Sequence, residues 1–181
     1  MKGAEAVLRK ISFHEKTAIV KKRIEKKYRN SELDMRLRRE RTRSEARLLD
    51  KARRAMIPCP NVLDVSEFEI ILDFDKGEHP KMTPKECEFA GKLLAKLHEA
   101  DIIHGDYTPV NLIKTKKGIH VIDFGLGYIS QDIEDRAIDV FTMLRMIRHK
   151  KEFLKGYSIY SKATSVLKRE EDVQKRVRYA N

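Results

Sequence analysis

Asp106, Asn111 and Asp123 carry the sharpest chemical signal in this chain of 181 residues. Asp106 closes His104-Gly105-Asp106, Asn111 follows it by five positions, and Asp123 opens Asp123-Phe124-Gly125 seventeen positions after Asp106. Two carboxylates and an amide in this order suit the transfer of a phosphoryl group. That reaction needs an acceptor oriented in line and its developing charge neutralised by metal. A loop aspartate can take the proton of an incoming hydroxyl. An asparagine one turn later offers a neutral oxygen to a metal ion. A second aspartate, at a strand end, brings a hard oxygen ligand to Mg²⁺. Glycine at 125 is expected to permit a sharp bend after that ligand. Either motif alone is compatible with an exposed turn or a structural histidine. The pair, in order, is specific.

The elements that must position these groups can be read around them. Asn111-Leu112-Ile113 and Ile119-His120-Val121-Ile122 form short strands about a Lys117-Gly118 turn. That hairpin holds Asn111 and Asp123 on one side. Upstream, Thr83-Pro84-Lys85-Glu86 has the form of a capping box with proline at the first helical position. Phe89, Ala90, Leu93, Leu94 and Leu97 then give one apolar helix face. Residues 133–149 read as a helix and 152–178 as one or two more.

The first half is richer in strands. Gly3 to Ile11 reads as a turn running into a strand, followed by strands at Thr17–Lys21, Val62–Val65 and Phe68–Leu72. A long helix starts at Ser31 and reaches about Met56, before Pro58 and Pro60. Its apolar stripe is Leu33, Leu37, Leu48, Leu49 and Ala52, and it weakens in an Arg-rich middle. Gly77 and Pro80 mark a loop where strands give way to helices. The expected fold is α+β in a single domain over 1–181. A small antiparallel β lobe spans 1–75 and a reduced helical lobe spans 76–181.

Composition supports a folded chain whose partners carry phosphate. Apolar residues make up 41%, enough for a core, and the formal net charge of +11 attracts nucleotides, RNA or acidic protein faces. Cys59 and Cys87 have neither disulfide-framework nor metal-site spacing and read as buried side chains in a reducing compartment. No apolar run approaches the ~20 residues of a membrane span, and no signal stretch opens the chain. A cytosolic protein is the expectation.

The order H-x-D-x-x-x-x-N, then D-F-G, is that of protein-kinase catalytic loops. Other parts can be sought on that pattern. Ala18-Ile19-Val20-Lys21 resembles the V-A-I-K strand whose lysine holds nucleotide phosphates, while Lys22 falls on the opposite, solvated strand face. The orienting glutamate is Glu45, beside helical apolar residues, with Glu40 as the alternative. Gly3-Ala4-Glu5-Ala6 stands where a Gly-rich loop would pass over phosphates, using backbone N–H groups despite its single glycine. Leu72-Asp73-Phe74 stands where a hinge would read adenine through the backbone, and equally fits an ordinary strand end.

Together these residues resemble the small atypical kinase subunit of the KEOPS (EKC) complex, the lilliputian kinases. The resemblance spans nearly the whole chain. It rests on Gly3-Ala4-Glu5-Ala6, the basic run Lys21 to Arg29, Arg41-Thr42-Arg43-Ser44-Glu45-Ala46, His104 to Asn111, and Ile122 to Gly127. It implies a bilobal kinase fold cut to a minimum, using ATP and Mg²⁺. Asp106 would be the base or would orient a water. Lys21, paired with Glu45, would hold phosphates, and Asn111 and Asp123 would bind metal. Asp139, in Glu134 to Asp139, would brace the catalytic loop. The implied partners are a threonylcarbamoyltransferase subunit, a small regulatory subunit and tRNA, met directly or through the complex.

The sequence departs from that family at Tyr107, where leucine is usual, and at Asp73, where glutamate is usual. No A-P-E segment follows Asp123, and 54 residues follow Gly127. That is too short for an ordinary peptide-docking lobe, which favours ATP hydrolysis, self-phosphorylation or a docked protein partner. Two other readings stand beside this one. A small-molecule kinase of the aminoglycoside or choline type shares the H-G-D loop but needs a larger helical lobe. A non-catalytic RNA- or protein-binding module would use the basic stretches Arg36–Arg47 and Lys168–Arg178.

Overall fold

The computed structural model describes residues 6–74 and 76–179. Two antiparallel strands, β1 (Ala6–Phe13) and β2 (Lys16–Arg23), begin the fold. His14 and Glu15 join them with φ of 46° and 63°. Positive φ at both central residues suits the right-handed twist of a two-residue hairpin. Further on, β3 (Val62–Val65) and β4 (Glu69–Asp73) complete a four-stranded antiparallel sheet in the order β1-β2-β4-β3.

Between the two hairpins runs helix α1 (Ser31–Arg54), capped by the Asn30 side chain, which accepts from the N–H groups of Glu32 and Leu33. Its C-terminal half is apolar inward through Leu48, Leu49 and Ala52. The stretch before Leu48 instead buries Asp34, Thr42 and Glu45. This explains why the apolar stripe fades there: the helix packs a polar network, not oil. Leu33, expected in the stripe, is exposed. Asp34 accepts from Arg38 Nε at 2.6 Å and from the Lys26 N–H at 3.3 Å, so its charge is buried with partners.

The helical lobe is built on α2 (Pro84–Glu99). Its capping box is complete: Thr83 accepts from the Glu86 N–H, and Glu86 accepts from the Thr83 N–H. Cys87, Ala90, Leu93, Leu94 and Leu97 face the core, while Phe89 is exposed, contrary to the face expected from spacing. The short strands β5 (Ile102–Ile103) and β8 (Tyr128–Ile129) pair antiparallel, as do β6 (Leu112–Thr115) and β7 (Gly118–Val121). Helices α3 (Ile133–Leu144), α4 (Lys150–Tyr157) and α5 (Ala163–Tyr179) follow. The expected helix over 133–149 therefore stops at Leu144. One apolar core joins α1 to all the later helices through residues such as Leu49, Leu94, Val140, Phe153 and Val166. Both cysteines are free and buried. Among the described residues no helix is long and apolar enough to cross a membrane.

α2 and α4 touch backbone to backbone. A Cβ at Gly91 would lie 2.1 Å from the Phe153 carbonyl oxygen and 2.8 Å from the Tyr157 nitrogen. Rigid main chain cannot give way as a flexible side chain would. Gly91→Ala is expected to lower stability by about 2 kcal/mol or more, read as a shifted denaturation midpoint. An unchanged midpoint would show that these helices do not meet this closely.

Candidate active site

Strand alternation places Lys21 and Arg23 on one face of β2, and both meet Glu45 from α1. Lys21 Nζ donates to Glu45 Oε1 at 2.6 Å, and Arg23 Nη2 donates to Glu45 Oε2 at 2.7 Å. Arg23 Nη2 also reaches the Arg41 carbonyl at 3.4 Å. The three side chains are 9%, 4% and 2% exposed for Lys21, Arg23 and Glu45. Burying these charges is tolerable only because they are paired. Glu40, the alternative partner, is exposed on α1. Lys22 points to solvent and pairs with Glu69 at 2.6 Å.

From the other lobe, Asp123 Oδ1 accepts from Lys21 Nζ at 2.7 Å. Lys21 thus bridges one carboxylate of the sheet lobe and one of the helical lobe. Burial pushes the Asp123 carboxyl upward, but the Lys21 charge and hydrogen bonds from Lys21 and the Gly125 N–H outweigh it and hold it below the usual aspartate range. Asp123 itself adopts φ of 60°. The bend expected at Gly125 is therefore made at the aspartate, a residue type that tolerates the left-handed region better than most. Gly125 serves a different need. A Cβ there would lie 2.9 Å from Asp123 Oδ1 and 3.4 Å from both Arg23 Nη2 and Lys21 Nζ.

Asn111 ends a 3₁₀ turn, Pro109–Asn111, rather than starting a strand. Thr108-Pro109 commits the chain to that turn, because proline fixes φ at the first helical position. The Asn111 amide nitrogen donates to the Asp106 carbonyl at 2.8 Å and to Asp106 Oδ2 at 2.9 Å. Its donors are thereby turned toward Asp106, which leaves the amide oxygen as an acceptor.

The loop carrying Asp106 is clamped from beneath. Asp139 Oδ2 accepts from the His104 N–H at 2.7 Å, and Oδ1 accepts from the Gly105 N–H at 2.9 Å. His104 Nε2 donates to the Ile122 carbonyl at 3.1 Å, and its Nδ1 accepts from the Asp106 N–H at 3.3 Å. One neutral tautomer satisfies both bonds and ties the Asp106 loop to the strand leading into Asp123. His98 contacts Asp139 Oδ2 at 3.4 Å and Tyr157 Oη at 2.7 Å. Burial disfavours the charged imidazolium and lowers the His98 pKa against the opposing pull of Asp139. Tyr107, the departure from leucine, is fully buried and donates its hydroxyl to the Ala90 carbonyl at 2.8 Å, fastening the loop to α2.

Lys21, Glu45 and Asp123 open onto a cleft of about 260 Å³ between the lobes. Its walls are mostly apolar, with Leu8, Ile19, Leu49, Leu72 and Ile122 among them, and Asp73 and Phe74 also line it. The Asp73 carboxylate is not presented to the cleft as a free group. Its Oδ1 accepts from the Asn61 N–H at 2.6 Å and its Oδ2 from the Asn61 side chain. Gly3, Ala4 and Glu5 lie outside the described residues. An apolar slot ending in a lysine and a carboxylate suits a flat heterocycle bearing a phosphate chain. Asn111 and Asp123 supply two hard oxygen donors, which fits Mg²⁺, an ion that completes its shell with substrate phosphates and water. Among the described residues there is no ready-made cage of three or more His, Cys, Asp or Glu. Arg23, His98 and Asn61 went unread in the sequence. Only Arg23 had a signal: it lies two residues beyond Lys21, hence on the same strand face.

The class that this fold and site define is confirmed by comparison. The RIO domain matches residues 7–163. A Rio2 kinase from Chaetomium thermophilum, solved as an ADP/Mg²⁺-phosphoaspartate complex, superposes with a TM-score of 0.68 over 100% of this chain and 70% of that one, at 13% identity. The fold is therefore kinase-like. A relative from Archaeoglobus fulgidus, named a probable serine/threonine-protein kinase BUD32 homolog, is 38% identical over 89% of this chain and 88% of its own length. A relative from Methanosarcina mazei, named a probable bifunctional tRNA threonylcarbamoyladenosine biosynthesis protein, is 42% identical over 98% of this chain. The chain spans only 35% of the length of that bifunctional relative. This chain belongs to the RIO-domain family, among its BUD32-type members.

Replacing Lys21 removes the largest influence opposing burial at Asp123 and leaves the Gly125 N–H bond as a weaker one. Lys21→Met is expected to move the Asp123 titration upward, followed by carboxyl-carbon NMR. The paired form contributes stability above the unfolded value of about 3.9, and that contribution is lost as pH falls through the lower folded value. An unmoved titration in the variant would assign the shift to something other than Lys21.

Proposed function

We propose that this chain binds ATP with Mg²⁺ in the cleft between its lobes. It hydrolyses the nucleotide or transfers its terminal phosphoryl group to a serine or threonine, its own included. The observation that carries this reading is the convergence of Lys21, Glu45 and Asp123, from both lobes, at the inner end of an apolar cleft. Adenine would lie between the apolar walls, with Asp73 and Phe74 offering backbone groups. Lys21, aimed by Glu45, would contact phosphate oxygens. Asp106, held by the Asn111 amide, would take the proton of the attacking hydroxyl or orient a water. Asn111 and Asp123 would hold Mg²⁺, which supplies charge neutralisation on the phosphates. The names of the relatives support a place in forming threonylcarbamoyl-adenosine in tRNA. We place the chain beside a threonylcarbamoyltransferase subunit and a small regulatory subunit, with tRNA reached directly or through that assembly. The exposed Arg36, Arg43 and Arg47 on α1 suit contact with an RNA backbone.

Asp123 is half exposed, with its side chain 51% accessible, so its removal leaves the core unchanged. Asp123→Ala is expected to lower ATP turnover at least about a hundredfold while circular dichroism shows the fold retained, with melting lowered only by the loss of the Lys21 pair. Phosphate release at the wild-type rate from this variant would place the chemistry elsewhere.

A further inference from the structure

Glu45 is shared between two buried cations, one on each oxygen. Lys21 also contacts Asp123. These bonds join four charged side chains, Lys21, Arg23, Glu45 and Asp123. Gly125 leaves room for them, since its missing Cβ would sit 3.4 Å from both cations. Arg23 is the member with no part in the chemistry proposed above. It is 4% exposed, ends β2, and fastens α1 at two points, the Glu45 carboxylate and the Arg41 carbonyl.

We infer that Arg23 is a positioning residue: its charge on Glu45 Oε2 fixes that carboxylate and leaves Lys21 free to exchange Asp123 for a nucleotide phosphate. This rests on the nucleotide reading above. Removing Arg23 takes one positive charge away and makes the cluster more negative by one. Lys21 would then face both carboxylates without that second cation, held more tightly by both and less available to an anionic ligand. The more negative cluster would also repel the phosphate chain directly. With Arg23 in place, Glu45 keeps a partner throughout, and α1 stays docked when Lys21 moves.

The test compares Arg23→Gln, which keeps a polar side chain without charge, with Arg23→Lys, which keeps the charge. Calorimetry with ADP and Mg²⁺ and the KM for ATP give the readouts. In Arg23→Gln, the Kd for ADP with Mg²⁺ and the KM are expected to rise about tenfold or more. Arg23→Lys is expected to stay within about threefold of wild type. Wild-type binding by Arg23→Gln overturns the inference, and so does equal weakening in both variants, which would make shape rather than charge the cause. If Arg23→Gln does not fold, the wild-type protein still decides. On adding ADP and Mg²⁺, the Lys21 ammonium resonance should shift while the Arg23 guanidinium protons remain slowly exchanging. Their exchange at the rate of free guanidinium would overturn the inference. Failure of wild-type protein to bind ADP with Mg²⁺ would instead reject the nucleotide reading itself.

Discussion

The carboxylate of Glu45 is the point on which the two lobes agree. It is 2% exposed, so it can exist as an anion only with partners, and β2 supplies one for each oxygen. This ties α1 to the sheet ahead of its buried apolar residues, which begin at Leu48. Through Lys21 the same carboxylate is linked to Asp123, and so to the helical lobe. Lys21, Arg23 and Glu45 are already desolvated and oriented by their mutual bonds.

The second constraint is the floor beneath Asp106. Asp139 accepts two backbone N–H groups of the Asp106 loop and is faced by His98, whose pKa burial lowers. His104 bridges this loop to Ile122, one residue before Asp123. The two acidic residues of the site are therefore positioned by one continuous hydrogen-bonded scaffold. Tyr107 adds a bond to α2, where the capping box and the close contact with α4 make a rigid base. Loops hold precise groups only when such supports lock them.

Much of this was legible in the sequence, and the reasons are specific. The α+β class followed from strand runs preceding long helical runs, and the RIO-domain match and the Rio2 superposition agree with it. Thr83 to Glu86 announced the start of α2 because a capping box is a local device. Structure decided what locality could not. The His14-Glu15 turn contains neither glycine nor asparagine, so its two positive φ values leave no residue-type signal. β5 and β8 are two residues each, too short for any periodicity to register. Phe89 and Leu33 have the right spacing for burial, yet no neighbouring element covers them. Arg23 looked like one more member of a basic run. Its burial beside Glu45 is a tertiary fact.

The central claim is that the cleft takes a nucleotide whose phosphates meet Lys21. A crystal structure with a non-hydrolysable ATP analogue and Mg²⁺ tests it most directly. The account predicts the base between the Leu8 and Ile122 walls, a phosphate oxygen at Lys21 Nζ, and Glu45 still bonded to both its cations. A nucleotide bound elsewhere, or Lys21 still resting on Asp123 with the analogue in the cleft, would contradict it.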